Sequence, residues 1–244
     1  MKKWYHQMVV CLLLLALALG MVSGLRSNLE ESKAVFSTAR SAGEQLILDA
    51  GHGGEDGGAV SLSGVPESGI NLSIVLKLDQ ILGLYGVSPV LLRCDDRSLH
   101  DDSAQTLREK KVSDLHNRVA IIEAIDQATL FSIHQNTYEN SKYHGAQVFY
   151  SNGDLSLPLA RLTQELLRQG LDPQNDRKPA QIPDSVYLMK HISCRALLIE
   201  CGFLSNPEED VALQSKSYQE KIAISLATAW LRRDEAEELV PMTE

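Results

Sequence analysis

The stretch LILDAGHGGEDGG, residues 46–58, decides how the chain is read. An apolar run ends at Asp49, and His52 then stands among five glycines. A short apolar run bounded by glycine predicts a buried strand leading into a turn. The loop fails the dinucleotide pattern, because Asp56 stands where a third glycine should follow Gly51 and Gly53. It also lacks the Gly-Lys-Ser ending of a phosphate-binding loop. Glycines carry no side chain, so they clear space around His52 and let the backbone turn sharply. The stretch reads as the mount for one imidazole.

Outward from it, apolar strands alternate with amphipathic helices. SGINLSIVLKLDQILGLYG places Ile70, Ile74, Leu78, Ile81, Leu82 and Tyr85 at helical spacing and stops at Gly86. VSPVLLR is the next strand, and SDLHNRVAIIEAI is a helix with Ser113 as candidate N-cap. TLFSIH and AQVFYS are strands, and LPLARLTQELLRQG is a helix ending at Gly170. A Pro-rich, charged loop occupies 171–185 and, being long, is expected to be functional or mobile. CRALLIE is a strand, and NPEEDVALQS a short helix opened by Asn206 and Pro207. SYQEKIAISLATAWLRR closes the pattern with Ile222, Leu226 and Trp230 facing inward. The alternation predicts an α/β domain: an open, mostly parallel or mixed sheet of about six strands, with helices on both faces. With 244 residues, 44% of them hydrophobic but only 5% aromatic, Leu, Ile, Val and Ala must fill its core.

The ends of the chain read differently. Lys2 and Lys3 precede an uncharged apolar run at 8–22, the form of an export signal or an uncleaved N-terminal anchor over residues 1–24. Residues 25–43 are polar without period and read as a tether to a domain over 44–232, and 233–244 form an acidic tail. The functional part is therefore expected outside the cytoplasm. A net charge of −9 excludes nucleic acid as the main partner. Outside the apolar run stand Cys94, Cys194 and Cys201, an odd number, and no disulfide scaffold is expected.

Three strands end in residues of metal-site type: His52, His134 and Glu200. Ligands of open α/β sheets bind beyond the carboxyl ends of strands, so central strands would bring these side chains to one edge. Glu67 opens the first amphipathic helix, fifteen residues after His52. Two histidines and a carboxylate make a catalytic zinc shell with an open position, and a further carboxylate would take a water's proton. Spacing leaves open which of Glu67 and Glu200 is ligand and which is base.

LDAGHGGEDGGA, ESGINL, VLLRCDD, NRVAII, FSIHQN, GAQVFY and LLIECGFLSNPEE occur in this order over about residues 45–232. The set resembles the zinc-dependent N-acetylmuramoyl-L-alanine amidase family. RKPAQIPDSVYLMKHIS further resembles its sporulation and germination branch, which trims cortex peptidoglycan. The resemblance implies a phosphorylase/hydrolase-like fold and one Zn2+ per chain on His52, Glu67 and His134, with Glu200 as general base. It implies peptidoglycan strands with stem peptides as substrate; control is expected from an accessory partner protein, from expression or from substrate form. Ala50 stands where the family usually has Pro, and Cys201 where it has an apolar residue; alternation along a strand turns Cys201 away from Glu200. Asp49 is expected to support a ligand, Asn136 to bind substrate or orient its loop, and His191 to reach substrate if CRALLIE is central. Arg93 and Arg118 are expected to brace loops, and His116 and His144 to be exposed. A zinc carboxypeptidase on stem peptides fits the same shell, and a non-catalytic wall-binding module is a third reading. Motif order favours the amidase, and a base would be superfluous for binding alone. No inserted helix that would plug the site is visible.

Overall fold

The computed structural model describes residues 43–236. The expected signal or anchor, nearly all of the tether, and the tail beyond Ala236 lie outside the described residues. Six strands form one sheet: β1 (Gln45–Ala50), β2 (Val90–Leu91), β3 (Ala128–Asn136), β4 (Gln147–Ser151), β5 (Ala180–Gln181) and β6 (Arg195–Phe203), in the order β2-β1-β3-β6-β4-β5. β1 pairs in parallel with β2 and β3, and β3 with β6. β4 runs antiparallel to β6 and parallel to β5, so the sheet is mixed. The helices among the described residues are α1 (Glu67–Leu84), α2 (Leu107–Glu123), α3 (Gly153–Leu171), α4 (Tyr187–Lys190), α5 (Pro207–Gln214) and α6 (Lys216–Leu231). None of them is long and apolar enough to cross a membrane.

The period of two along each strand sorts side chains between two unequal faces. Leu46, Leu48, Phe131, Ile133, Leu197 and Ile199 pack in one cluster with Ile74 and Leu78 of α1, Leu159 of α3, and Ile222, Leu226 and Trp230 of α6. The alternate residues, Ile47, Leu130, Ala196 and Leu198, pack with Ile122 of α2 and with Leu188 and Met189 of the one-turn α4. Continuing that second series gives Asp49, Ser132, His134 and Glu200. The polar residues thus belong to the face with the thinner helical cover.

Local chemistry moved several boundaries. α2 begins at Leu107, not near Ser113, because Thr106 and Glu109 form a reciprocal capping box. Ser113 instead lies inside the helix and bonds Asp101. Tyr85 caps α1 and is exposed, not part of its buried face. β2 is reduced to two residues, since Pro89 has no N–H to offer the ladder. The loop at 171–185 supplies β5, the edge strand beside β4. Past Arg232 a 3-10 turn, Arg233–Glu235, follows α6; Arg233 pairs with Glu44 at 3.0 Å and its guanidinium lies 4.2 Å over the Trp230 ring.

Candidate metal and catalytic site

His52, Glu67 and His134 come together although 82 residues separate the first from the last. Each offers one donor atom, and these atoms lie within 4.8 Å of one another. Glu67 Oε1 is 3.0 Å from His52 Nε2 and 3.1 Å from His134 Nδ1. Glu67 is 3% exposed at the head of α1, and an ionised carboxylate suits that helix terminus. Its other oxygen accepts from Ala59 N at 3.0 Å, and Asn71, one turn on, donates to Oε1 at 3.4 Å and to Gly51 O at 3.2 Å.

The glycines of the opening loop serve both partners of His52. A methyl group on Gly51 would lie 2.2 Å from His134 Cε1, and one on Gly58 2.5 Å from Glu67 Cγ and 2.7 Å from His52 Cδ2. His52 itself sits at φ 61, a conformation that costs a non-glycine residue about 1–3 kcal/mol. The surrounding hydrogen bonds hold it there. Arg118 of α2 donates to His52 O at 2.8 Å and to Ala50 O at 3.2 Å. Arg93 donates to Ala50 O at 2.8 Å and to Gly51 O at 3.1 Å. Both arginines are buried and brace this loop.

Asp49 makes no hydrogen bond to either imidazole. It pairs with Arg118 and accepts from Ser132 Oγ at 2.6 Å, so it acts on His52 only through the guanidinium that grips the backbone. The carboxylate on His52 is Asp56, whose Oδ2 lies 2.9 Å from Nδ1. An oriented imidazole is what a metal-binding histidine needs, and sequence reading missed this residue. Asn136 Oδ1 accepts from Thr137 N at 2.7 Å and so orients the loop after β3. His191 caps the C-terminal end of the one-turn α4, ahead of β6. It is exposed and stacks on Tyr187, centroids 3.9 Å apart, and Tyr187 lines the roughly 220 Å³ cavity beside His52 and His134. His116 and His144 are exposed.

Glu200 lies opposite His134 in the β3–β6 register. Its Oε2 is shielded from solvent and has no hydrogen-bond partner. Burial pushes its carboxyl up to about 7, and the nearby imidazoles offset only part of this. Burial works against charge on Glu67 too, but the two imidazoles hold it down at about 2. Burial would lower His52, yet hydrogen bonds to Asp56 and Glu67 outweigh it and lift the imidazole to about 9. Cys201 is fully buried in the cluster on the other face, where burial drives its thiol pKa up. Cys94, Cys194 and Cys201 are all free.

An α/β sheet with two imidazoles and two carboxylates gathered at the carboxyl ends of its central strands is the frame of a hydrolase. A profile of N-acetylmuramoyl-L-alanine amidases matches residues 46–231, and the chain belongs to that family, whose members hydrolyse peptidoglycan. The germination-specific N-acetylmuramoyl-L-alanine amidase of Bacillus subtilis (strain 168) is 33% identical over 192 residues, 78% of this chain and 80% of that one. The CwlD amidase of Clostridioides difficile, solved in complex with the GerS lipoprotein, superposes with a TM-score of 0.74 at 38% identity, covering 81% of this chain and 100% of that chain. An N-acetylmuramoyl-L-alanine amidase from Clostridium difficile 630 gives 0.68 at 26% identity over 80% of this chain and 98% of that one. The expected amidase family and mixed α/β fold are thereby established, and the family's substrate lies outside the cytoplasm.

Proposed function

We propose that this chain cleaves the amide between the lactyl group of N-acetylmuramic acid and L-alanine with one zinc ion on His52, Glu67 and His134 and Glu200 as general base. The observation that carries the reading is the unpartnered Glu200 Oε2, buried beside a three-residue donor set. A buried carboxylate oxygen without a partner is costly unless a ligand or its water completes it. Two imidazoles and a carboxylate fit zinc in chemistry and number. Zinc supplies a Lewis acid that acidifies a water and polarises a carbonyl when bound.

The protein's own groups do the rest. Asp56 fixes the His52 ring through Nδ1, and Asn71 and Ala59 N fix the Glu67 carboxylate. Glu200 takes the proton of the attacking water and returns it to the leaving nitrogen of L-alanine, which is a poor leaving group until protonated. A carboxyl near neutrality suits both transfers. The likeness to a germination-specific amidase supports a role in spore-cortex modification, including muramic-lactam formation. The apolar run at 8–22 behind Lys2 and Lys3 supports export or anchoring, with the tether joining it to the catalytic domain. The likeness to an amidase solved with a lipoprotein supports an accessory protein as partner.

Mass spectrometry of defined muropeptides tests the reaction. Release of the whole stem peptide, dependent on zinc, is expected; loss of a terminal amino acid alone would make the chain a carboxypeptidase instead.

A further inference from the structure

The loop that follows β3 carries two exposed aromatic rings that the reaction described above does not use. Tyr138 is 54% and Tyr143 44% exposed, yet neither ring is loose. They pack on each other at 4.6 Å between centroids, and Tyr143 leans on Phe203 at 6.3 Å. The Arg177 guanidinium lies 4.6 Å over the Phe203 ring and 5.8 Å from the Tyr143 centroid. The backbone beneath is pinned at several points. Tyr138 N donates to Ser205 Oγ at 2.9 Å, Asn206 Nδ2 to Ser141 O at 3.0 Å and to Tyr143 O at 3.3 Å, and Arg177 Nε to His144 O at 2.8 Å. Holding two tyrosines against water with this much scaffolding makes a preorganised surface, which lowers the ordering cost of binding.

The surface adjoins the reacting groups. Tyr138 follows His134 by four residues, and Phe203 follows Glu200 by three. Gln147 is the cross-strand partner of Glu200, and Arg177 Nη1 donates to Gln147 Oε1 at 3.1 Å. One cross-strand step, about 5 Å between Cβ atoms, therefore leads from Glu200 to the side chain that meets Arg177. The cavity at His52, with Lys111 and Tyr187 in its wall, lies between α2 and α4, while this aromatic surface borders β4. The site thus has two arms of different chemistry.

We propose that Tyr138, Tyr143 and Arg177 form a glycan subsite that receives the sugar next to the reacting muramic acid. This rests on the amidase reading, in which one side of the scissile amide is a polysaccharide. Tyrosine faces match the apolar C–H faces of a pyranose, and the guanidinium and phenol groups match its hydroxyl and acetamido oxygens. The lactyl carboxyl of the muramic acid is consumed in the amide, so this arm of the substrate is uncharged. A neutral glycan suits a chain of net charge −9.

The test uses two substrates with the same stem peptide, a single muramyl peptide and a tetrasaccharide, and a stem-free probe, the β-1,4-linked tetramer of N-acetylglucosamine. Wild type is expected to prefer the tetrasaccharide by about ten-fold in kcat/KM, and Tyr138→Ala/Tyr143→Ala to collapse that preference toward one. NMR titration with the stem-free tetramer should shift resonances of Tyr138 and Tyr143 in wild type, and the double variant should not bind it. Tyr138→Ala alone removes the more exposed ring, leaves Tyr143 on Phe203, and should reduce the preference without unfolding the chain. Equal kcat/KM for the two substrates in wild type, a preference that survives in the double variant, or no binding of the tetramer would each overturn the proposal. The last result would make the patch a protein-docking surface. If wild type released no stem peptide from either substrate, the amidase reading itself would fall, while the tetramer titration would still decide the subsite.

Discussion

Gly51→Ala isolates what the opening glycines do. Gly51 is not among the residues with positive φ, so alanine fits its backbone and the steric effect stands alone. The added methyl would lie 2.2, 2.3 and 2.7 Å from three atoms of the His134 ring. Ordinary contact begins at 3.4 Å, so ring or loop must yield by the difference, about 1.2 Å. Overpacking of this kind costs about 1–3 kcal/mol in stability. A displacement of about 1 Å in reacting geometry costs on the order of 100-fold in rate. The expected result is a folded protein with a modestly lowered Tm, reduced zinc content and a rate of stem-peptide release down by about that factor. Gly69→Ala is the control, since nothing lies within 4 Å of its Cβ position in α1. It should keep full activity and gain about 0.5–1 kcal/mol from reduced backbone entropy. Wild-type zinc content and rate in Gly51→Ala would refute the reasoning that this glycine makes room for His134.

Two further outcomes follow from the charges. His52 is lifted to about 9 in the metal-free protein and must lose its proton to ligate, so zinc binding at pH 7 should release about one proton and strengthen as pH rises toward 9; calorimetry in buffers of different ionisation enthalpy would reveal zero release if the coupling were absent. For Asp49, burial would raise the pKa, but Arg118 and Ser132 outweigh it and hold it below the usual carboxylate value. The folded pKa is depressed, so this pair stabilises the fold fully above about pH 4 and less as pH falls through the folded value. Arg118→Met should cost about 3–5 kcal/mol at pH 7, because it strands a buried carboxylate, and the loss should shrink in acid. Urea unfolding of both proteins at pH 7 and pH 3 reads this, and a pH-independent difference would contradict it.

Much of the fold was readable because the strands are short apolar runs that break at glycine or at a polar residue, and because α3 keeps a clear helical period. The convergence of His52, His134 and Glu200 was readable for the same reason, since each closes or follows such a run. What escaped reading depends on contacts between distant segments. Asp56 looked like one acid in a loop until the left-handed turn at His52 brought it to Nδ1. Asn71 reads as an ordinary helix residue, although its i,i+4 spacing from Glu67 was a usable signal. His191 stands one stacked ring from the cavity wall, a placement set by the single turn of α4 and not by the strand it precedes. The two-residue β5 has no pattern of its own and exists only as a partner of β4.

Glu200→Gln tests the account most directly. It keeps the shape of the side chain and leaves His52, Glu67 and His134 untouched. Variant and wild type alike are expected to hold one zinc per chain, while stem-peptide release by the variant falls by about 100- to 10,000-fold, the range lost with a general base. Loss of zinc, or a wild-type rate with zinc in place, would contradict the assignment of Glu200 as the base beside a His52–Glu67–His134 metal site.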